Sequence, residues 1–371
     1  MTNRRRFLAN VLGLGALGLL ASPFAAATQT APNPRRFMSA RADAQGRFFA
    51  TVFDDEGRVY ADVRMPTRGH GSAVAPSGRE AVMFSRRPGD FLLVIDPADG
   101  RLLTRVTAAP GRFFDGHGCF VAGRLYVTET LAETGDGLIG VYDPQDAYRR
   151  IGEFSSGGLD PHDIRVVGER TLVVANGGIL THPDAPRVKL NLDTMDPSLA
   201  YLDAVDGSLV AQLRLPPSMH QSSIRHLAVA RDGTVAVAMQ YEGPSTARVP
   251  LVALHRPGTM RLETLALPEP LLVSLRNYCG SAAVDATGRV LGVSSPRGGL
   301  MLFWDVQDGR LLGSTELRDG CGIAAAGDEG TFLLTSGLGG VHRHHAGDAG
   351  MSAIDRSLFT DSRWDNHLLT L

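Results

Sequence analysis

Leu92-Leu93-Val94-Ile95-Asp96-Pro97-Ala98-Asp99-Gly100-Arg101-Leu102-Leu103 and Met301-Leu302-Phe303-Trp304-Asp305-Val306-Gln307-Asp308-Gly309-Arg310-Leu311-Leu312 share one pattern. Each is an apolar run of strand length, a turn opened by Asp and closed by Asp-Gly-Arg, and a second apolar run. Asp favours such a turn because its carboxylate accepts from backbone amides two residues on, and Gly because it takes positive φ without strain. Asp54, Asp143, Asp203, His255 and, with a weaker match, His345 fill the turn position elsewhere. The seven positions are 42, 47, 60, 52, 50 and 40 residues apart.

A second element recurs between these turns. Gly69-His70-Gly71-Ser72-Ala73-Val74 leads to Pro76-Ser77-Gly78-Arg79, and Cys279-Gly280-Ser281-Ala282-Ala283-Val284 leads likewise to Asp285-Ala286-Thr287-Gly288-Arg289. Equivalent starts lie at His117, His162, Arg225, Gly322 and His367. Each unit reads as four short strands, with no convincing amphipathic helix. Four strands per repeat of about 45 residues identify a β-propeller blade. The chain is therefore expected to be all-β, a seven-bladed propeller. Residues 37–66 supply only three strands before the His70 unit, and the last eight residues, 364–371, supply one. Together they are expected to form a composite blade that closes the ring and removes exposed sheet edges.

The composition agrees. Of 371 residues, 43 are Gly, which favours tight turns over long helices. A hydrophobic share of 43% excludes a disordered chain, and a net charge of −2 leaves no electrostatic footprint for nucleic acid. Near the N-terminus, Asn3-Arg4-Arg5-Arg6-Phe7-Leu8 resembles a twin-arginine export signal, followed by an apolar run over 9–21 and small residues Ala25-Ala26-Ala27. This predicts a signal peptide over residues 1–27, its removal, a periplasmic location without a stable membrane anchor, and one propeller domain over 28–371. Cys119, Cys279 and Cys321 form an odd set, so at most one disulfide can form.

One stretch breaks the repeat. Residues 176–199 connect the second and third strands of their blade and carry His182, Lys189, Asn191 and Asp193. A long loop rich in such residues predicts an ordered lid over the face where inner strands begin.

The histidines share a register. His70, His117, His162 and His367 each stand four residues before an apolar strand position, Val74, Val121, Val166 and Leu371. His226 falls one residue later in its blade, and Cys279 and Cys321 one residue earlier in theirs. Inner strands line a propeller's channel, so these seven side chains are expected at one mouth. Imidazole and thiolate bind first-row transition metals, with neighbouring carboxylates orienting the imidazoles; Asp115, Asp160, Asp163 and Asp365 are candidates for that role. Arg225, Arg41 and Arg297 are expected to face the same mouth and to suit a polar ligand. The alternative is that the histidines hydrogen-bond across blade starts and serve structure alone. No H-E-x-x-H, C-x-x-C or C-x-x-C-H motif is present, nor a nucleophile elbow or P-loop.

Gly116-His117-Gly118, Gly158-Leu159-Asp160-Pro161-His162-Asp163, Ala175-Asn176-Gly177-Gly178-Ile179, Lys189-Leu190-Asn191-Leu192-Asp193-Thr194-Met195, Ser223-Ile224-Arg225-His226-Leu227-Ala228-Val229 and Trp364-Asp365-Asn366-His367 resemble domain-of-unknown-function family 1513. The resemblance implies an exported bacterial propeller similar in fold to the quinoprotein amine dehydrogenase large chain. It also implies imelysin-like periplasmic iron-uptake proteins as partners. Three functions follow as expectations. The first is a periplasmic propeller that binds iron or copper, or a metal complex, for metal acquisition or handling. The second is a quinoprotein- or lactonase-like enzyme using the same mouth, for which His117, His162 and His226 are the candidate acids or bases. The third is a non-catalytic interaction scaffold.

Overall fold

Seven four-stranded antiparallel sheets account for nearly all regular structure in the computed structural model, which describes residues 34–182 and 184–371. The expected signal segment, 1–27, lies outside the described residues. Residues Pro34–Leu371 form one compact unit.

Each blade is built from why its strands differ. In the second blade the middle strands, Ala81–Ser85 and Phe91–Ile95, are buried throughout, because adjacent blades cover both their faces. The outermost strand, Leu102–Thr107, is partly or fully exposed throughout, because no further strand covers it. The recurring Asp turns close the hairpins between third and fourth strands or their equivalents. Asp96, Asp203 and Asp305 accept from the backbone N–H of Ala98 (2.9 Å), Val205 (2.8 Å) and Gln307 (2.8 Å). Asp54 does the same for Glu56 and Arg58 at 3.0 and 2.8 Å.

The innermost strands are Gly69–Val74, Arg112–Val121, Pro161–Val167, Ser222–Val229, Ser281–Val284, Gly320–Ala325 and Arg363–Thr370, each touching the next around the ring. The last of these pairs with Arg36–Ala42, with Phe37 opposite Thr370 and Ala42 opposite Arg363. The composite blade expected from the sequence is therefore present. Its seam is packed by Trp364 against Phe53 (centroids 5.2 Å apart) and tied by Ser39 Oγ–H donating to the His367 carbonyl at 2.6 Å. Short helices at Glu269–Ser274 and Ser357–Thr360 are the α-helical turns among the described residues. No helix among those residues is long and apolar enough to cross a membrane.

Candidate metal centre

Five consecutive blades each send one histidine to the channel axis: His367, His70, His117, His162 and His226. All are buried, none more than 7% exposed. Successive ring centroids lie 4.5, 4.9, 5.0 and 4.8 Å apart, and His226 closes back onto His367 at 5.0 Å. The imidazoles therefore fill the channel's neck.

Bulges aim them. Strand pairing shifts register between Gly69 and Ser72, Phe114 and Gly118, Pro161 and Asp163, and Ile224 and His226, and opposite the last strand between Ser39 and Arg41. A bulge re-aims one side chain without ending the sheet. It also explains why His226, one residue out of register, still reaches the axis. Gly71 and Gly116 leave the space: a Cβ on Gly71 would stand 2.7 Å from His117 Cδ2, and one on Gly116 2.8 Å from His70 Cδ2.

The two cysteines do not join the imidazoles. For Cys279, one residue of offset turns the side chain to the opposite face, and Ser281–Val284 pairs regularly, with no bulge to restore it. At Cys321 the pairing does shift, between Gly320 and Ile323, but the thiol is held elsewhere. Cys279 is packed in an apolar cluster between blades. The Cys321 Sγ donates to the Asp319 carbonyl at 3.0 Å and lines a separate cavity with Arg41, Asp319 and Asp365.

Two sets of three imidazoles place their ligand atoms within 4.8 Å of one another: His70, His117 and His162, and His117, His226 and His367. His117 belongs to both. Its Nε2 lies 3.2 Å from Nε2 of His367. Two nitrogens bound to one ion at about 2.0–2.1 Å stand about 2.8–3.0 Å apart in octahedral and about 3.3–3.4 Å apart in tetrahedral geometry, so this pair, between the two, already has the spacing of neighbouring ligands. Both ring nitrogens of His162 and of His226 are buried without a hydrogen-bond partner among the described residues.

Electrostatics keep the cluster neutral. Burial holds the imidazoles of His117, His162, His226 and His367 well below their usual pKa, reinforced by neighbouring imidazoles and, except at His367, by Arg225. Neutral imidazole is the form that ligates metals. Burial lowers His70 as well, opposed by Asp365. His70 Nδ1–H donates to Asp365 Oδ1 at 2.9 Å, which leaves Nε2 as a lone pair. Burial alone would raise the Asp365 carboxyl; its bonds with His70 and Arg68 hold it well below the usual range instead.

The other expected orienting carboxylates are engaged elsewhere. Asp160 pairs with Arg87 and Arg225. Asp163 accepts the backbone N–H of Ile164 (2.8 Å) and, in the next blade, of Leu227 (2.9 Å), so it ties inner strands together. Asp115 accepts from the Thr130 hydroxyl at 2.8 Å, and burial, with Asp160 nearby, pushes its pKa up to about 8. Arg41 is held in the composite blade by Thr51 and Asp62, away from the histidines.

Above the histidines lies a cavity of about 340 Å³ whose floor includes His70, His162 and His226. Arg68, Arg86, Arg87, Arg187, Lys189, Arg225 and Arg297 line it, with Glu242 as its single lining carboxylate among the described residues. Below them the channel continues as a space of about 330 Å³ bordered by His117, His367 and mostly small apolar residues. The expected lid covers the upper cavity in part. Asn191 accepts from the Leu180 N–H (2.7 Å) and donates to the Gly178 carbonyl (2.9 Å), which folds the loop back on itself. Lys189 reaches the cavity and pairs with Glu242. His182 and Asp193 do not line it: His182 is exposed, 3.6 Å from Asp184, and Asp193 borders another surface hollow.

Arg68, Arg187, Tyr278 and Asn366 belong to this cavity without having been singled out from the sequence. Arg68 stands two residues before His70, just ahead of the strand Gly69–Val74, so its nearness in sequence was a signal that was present. Tyr278 reaches the mouth only through the turn after helix Glu269–Ser274, which no repeat pattern announces.

The model of the family described as "Protein of unknown function (DUF1513)" matches residues 63–371. No curated protein matches the chain. Among solved structures, hydrazine synthase of Kuenenia stuttgartiensis is similar at 14% identity and a TM-score of 0.59, over 90% of this chain and 99% of that one. The WD40 repeats of RRP9 are similar at 14% identity and a TM-score of 0.55, over 83% of this chain and 89% of that one. At such identity the likeness concerns the propeller fold alone.

Proposed function

The chain belongs to the DUF1513 family, and we propose that it is a transition-metal-binding propeller whose centre is the five-histidine neck. The carrying observation is the set of four unpartnered ring nitrogens on His162 and His226, buried beside three further imidazoles. A buried polar atom without a partner costs about 1–3 kcal/mol, and one divalent ion satisfies several at once. The donor set supports iron or copper, since neutral imidazole suits first-row metals and copper binds such nitrogen sites more tightly than iron. His117 would serve whichever three-imidazole set is occupied, and Asp365 would fix the ring and tautomer of His70.

A role in metal acquisition or handling outside the cytoplasm, beside an imelysin-like partner, belongs to the same proposal; the N-terminal resemblance to an export signal supports it. The test is metal analysis of purified protein, followed by titration of the chelator-treated chain with iron(II), copper(II) and zinc(II). Stoichiometric binding with a raised melting temperature is expected. No bound metal, together with unchanged melting on adding all three ions, overturns the proposal.

A further inference from the structure

The cavity over the histidines carries a charge imbalance that metal binding by imidazole does not use. Seven cationic side chains line it, and the carboxylates that pair with them are three: Asp365 with Arg68, Asp160 with both Arg87 and Arg225, and Glu242 with Lys189. Arg86, Arg187 and Arg297 form no ion pair with a carboxylate among the described residues, unlike the other four. Four positive charges are left over in a chain whose net charge is −2, so the excess belongs to this hollow and not to a generally basic protein.

Three further observations point to a ligand. Arg225 is 5% exposed, lines the cavity, and keeps a buried Nε without an acceptor. Arg86 is lowered from its usual pKa by burial and then by the like charge of Arg68, the condition of a cation crowded among cations. Arg297 lies over the Tyr278 ring, 4.2 Å from its centroid, which fixes the plane of its guanidinium at the cavity wall. Planar guanidinium groups recognise carboxylate and phosphate through paired N–H donors. The space, about 340 Å³, is that of a small-molecule site.

We infer that this cavity binds a small, multiply charged oxyanion of the polycarboxylate or phosphate class, held by Arg86, Arg225 and Arg297 directly above the histidine neck. The inference goes beyond metal binding and does not depend on it, because the cations and not the imidazoles carry it. Low-dielectric walls strengthen such contacts, and salt weakens them at the open rim.

The test uses full-length protein stripped of metal. Calorimetric titration with citrate and with pyrophosphate, and acetate as the singly charged control, is expected to give saturable one-to-one binding for at least one multivalent anion and at least about tenfold weaker binding for acetate. Saturation by citrate alone identifies polycarboxylates, and saturation by pyrophosphate alone identifies phosphates; both support the site. Arg86→Gln and Arg297→Gln, which break no ion pair, are each expected to weaken binding about tenfold. Arg187→Gln, on the exposed lid, gives a third reading should either core variant fold poorly. Absence of saturable binding to both anions, or affinity unchanged in all three variants, overturns the inference. Metal titrations of the same samples keep the two readings apart: anion binding without metal binding removes only the proposed metal centre, and the reverse removes only this site.

Discussion

Nε2 of His117 faces Nε2 of His367 across the channel at 3.2 Å, although the two residues lie 250 positions apart in the chain. Without an ion, one nitrogen must carry a proton and donate to the other; with one, both lone pairs point at the metal. Since His117 is common to both three-imidazole sets, His117→Ala is expected to weaken metal binding at least about a hundredfold, because losing a ligand costs more than losing a ligand's hydrogen-bond partner, which costs about 10–100-fold. His182→Ala, on the lid and outside the cluster, is the matched control and should bind as the parent does. Isothermal titration of both variants with copper(II) checks this. Equal affinities would place the metal elsewhere.

Gly116 ties the backbone to that cluster. It adopts φ of 97°, a conformation L side chains rarely adopt, and its ideal Cβ would approach His70 Cδ2 to 2.8 Å. Gly116→Ala is therefore expected to destabilise the fold by about 1–3 kcal/mol and to displace His70 from Asp365. Gly123→Ala, also at positive φ but with nothing within 4 Å of the added Cβ, isolates the backbone part. Denaturant unfolding of the two should show the larger loss for Gly116, and only Gly116→Ala should weaken metal binding.

The architecture was legible because blades repeat: Asp turns and apolar runs mark the outer hairpin of five blades, with His255 and His345 in that place in the other two, and a missing fourth strand at one end answers an extra strand at the other. The convergence of five histidines was legible for the same reason, since equal register puts equal positions at the axis. The place of Cys279 was not, because strand faces alternate and a single-residue offset matters unless a bulge absorbs it; Cys321 does lie at a register shift, between Gly320 and Ile323, yet turns its thiol to the Asp319 carbonyl. His226 has such a bulge and Cys279 lacks one, and bulges leave no reliable mark in a lone sequence. Nor could charge pairing be read: Asp115, Asp160 and Asp163 stand beside histidines in the chain yet spend their oxygens on Thr130, two arginines and backbone amides.

The composite blade makes stability depend on the last strand. Deleting residues 365–371 removes most of the Arg363–Thr370 pairing and exposes an edge at Arg36–Ala42. It also removes buried Leu368 and loosens Trp364, which packs on Phe53. Two large side chains taken from a core cost about 3–6 kcal/mol, a large part of the roughly 5–15 kcal/mol typical of a whole domain. The truncated chain is expected to lose cooperative thermal unfolding. A sharp transition near the parent's melting temperature would contradict a ring closed at this seam.

All three cysteines are free and buried. Burial pushes the thiols of Cys119 and Cys279 up to about 12 and raises that of Cys321 as well. Since the thiolate is the reactive form, a chromogenic disulfide reagent at pH 8 should find almost no thiol in the native protein and three after denaturation without reductant. A native thiol reacting as fast as in the unfolded chain, or a single thiol after unfolding, would show an exposed or bridged cysteine.

Asp285 joins two blades and supplies the pH dependence. Its Oδ1 accepts the N–H groups of Arg289 and Val290 at 2.8 and 2.9 Å, while Oδ2 accepts the Thr287 hydroxyl at 2.8 Å and, from the next blade, the Gly330 N–H at 2.9 Å. Burial alone would raise its pKa, but these donors hold it below the usual carboxyl value. A group depressed in the folded state stabilises fully above its unfolded pKa, about 3.9, and loses that contribution as pH falls toward its folded pKa. Asp285→Asn turns one accepting oxygen into a donor and leaves amides unmatched, at a cost of about 1.5–3 kcal/mol near neutrality. The gap between parent and variant in urea unfolding should stay constant from pH 7 to about 5 and narrow below the ordinary carboxyl range. A gap that widened with acid would mean that the carboxylate is not what holds these two blades together.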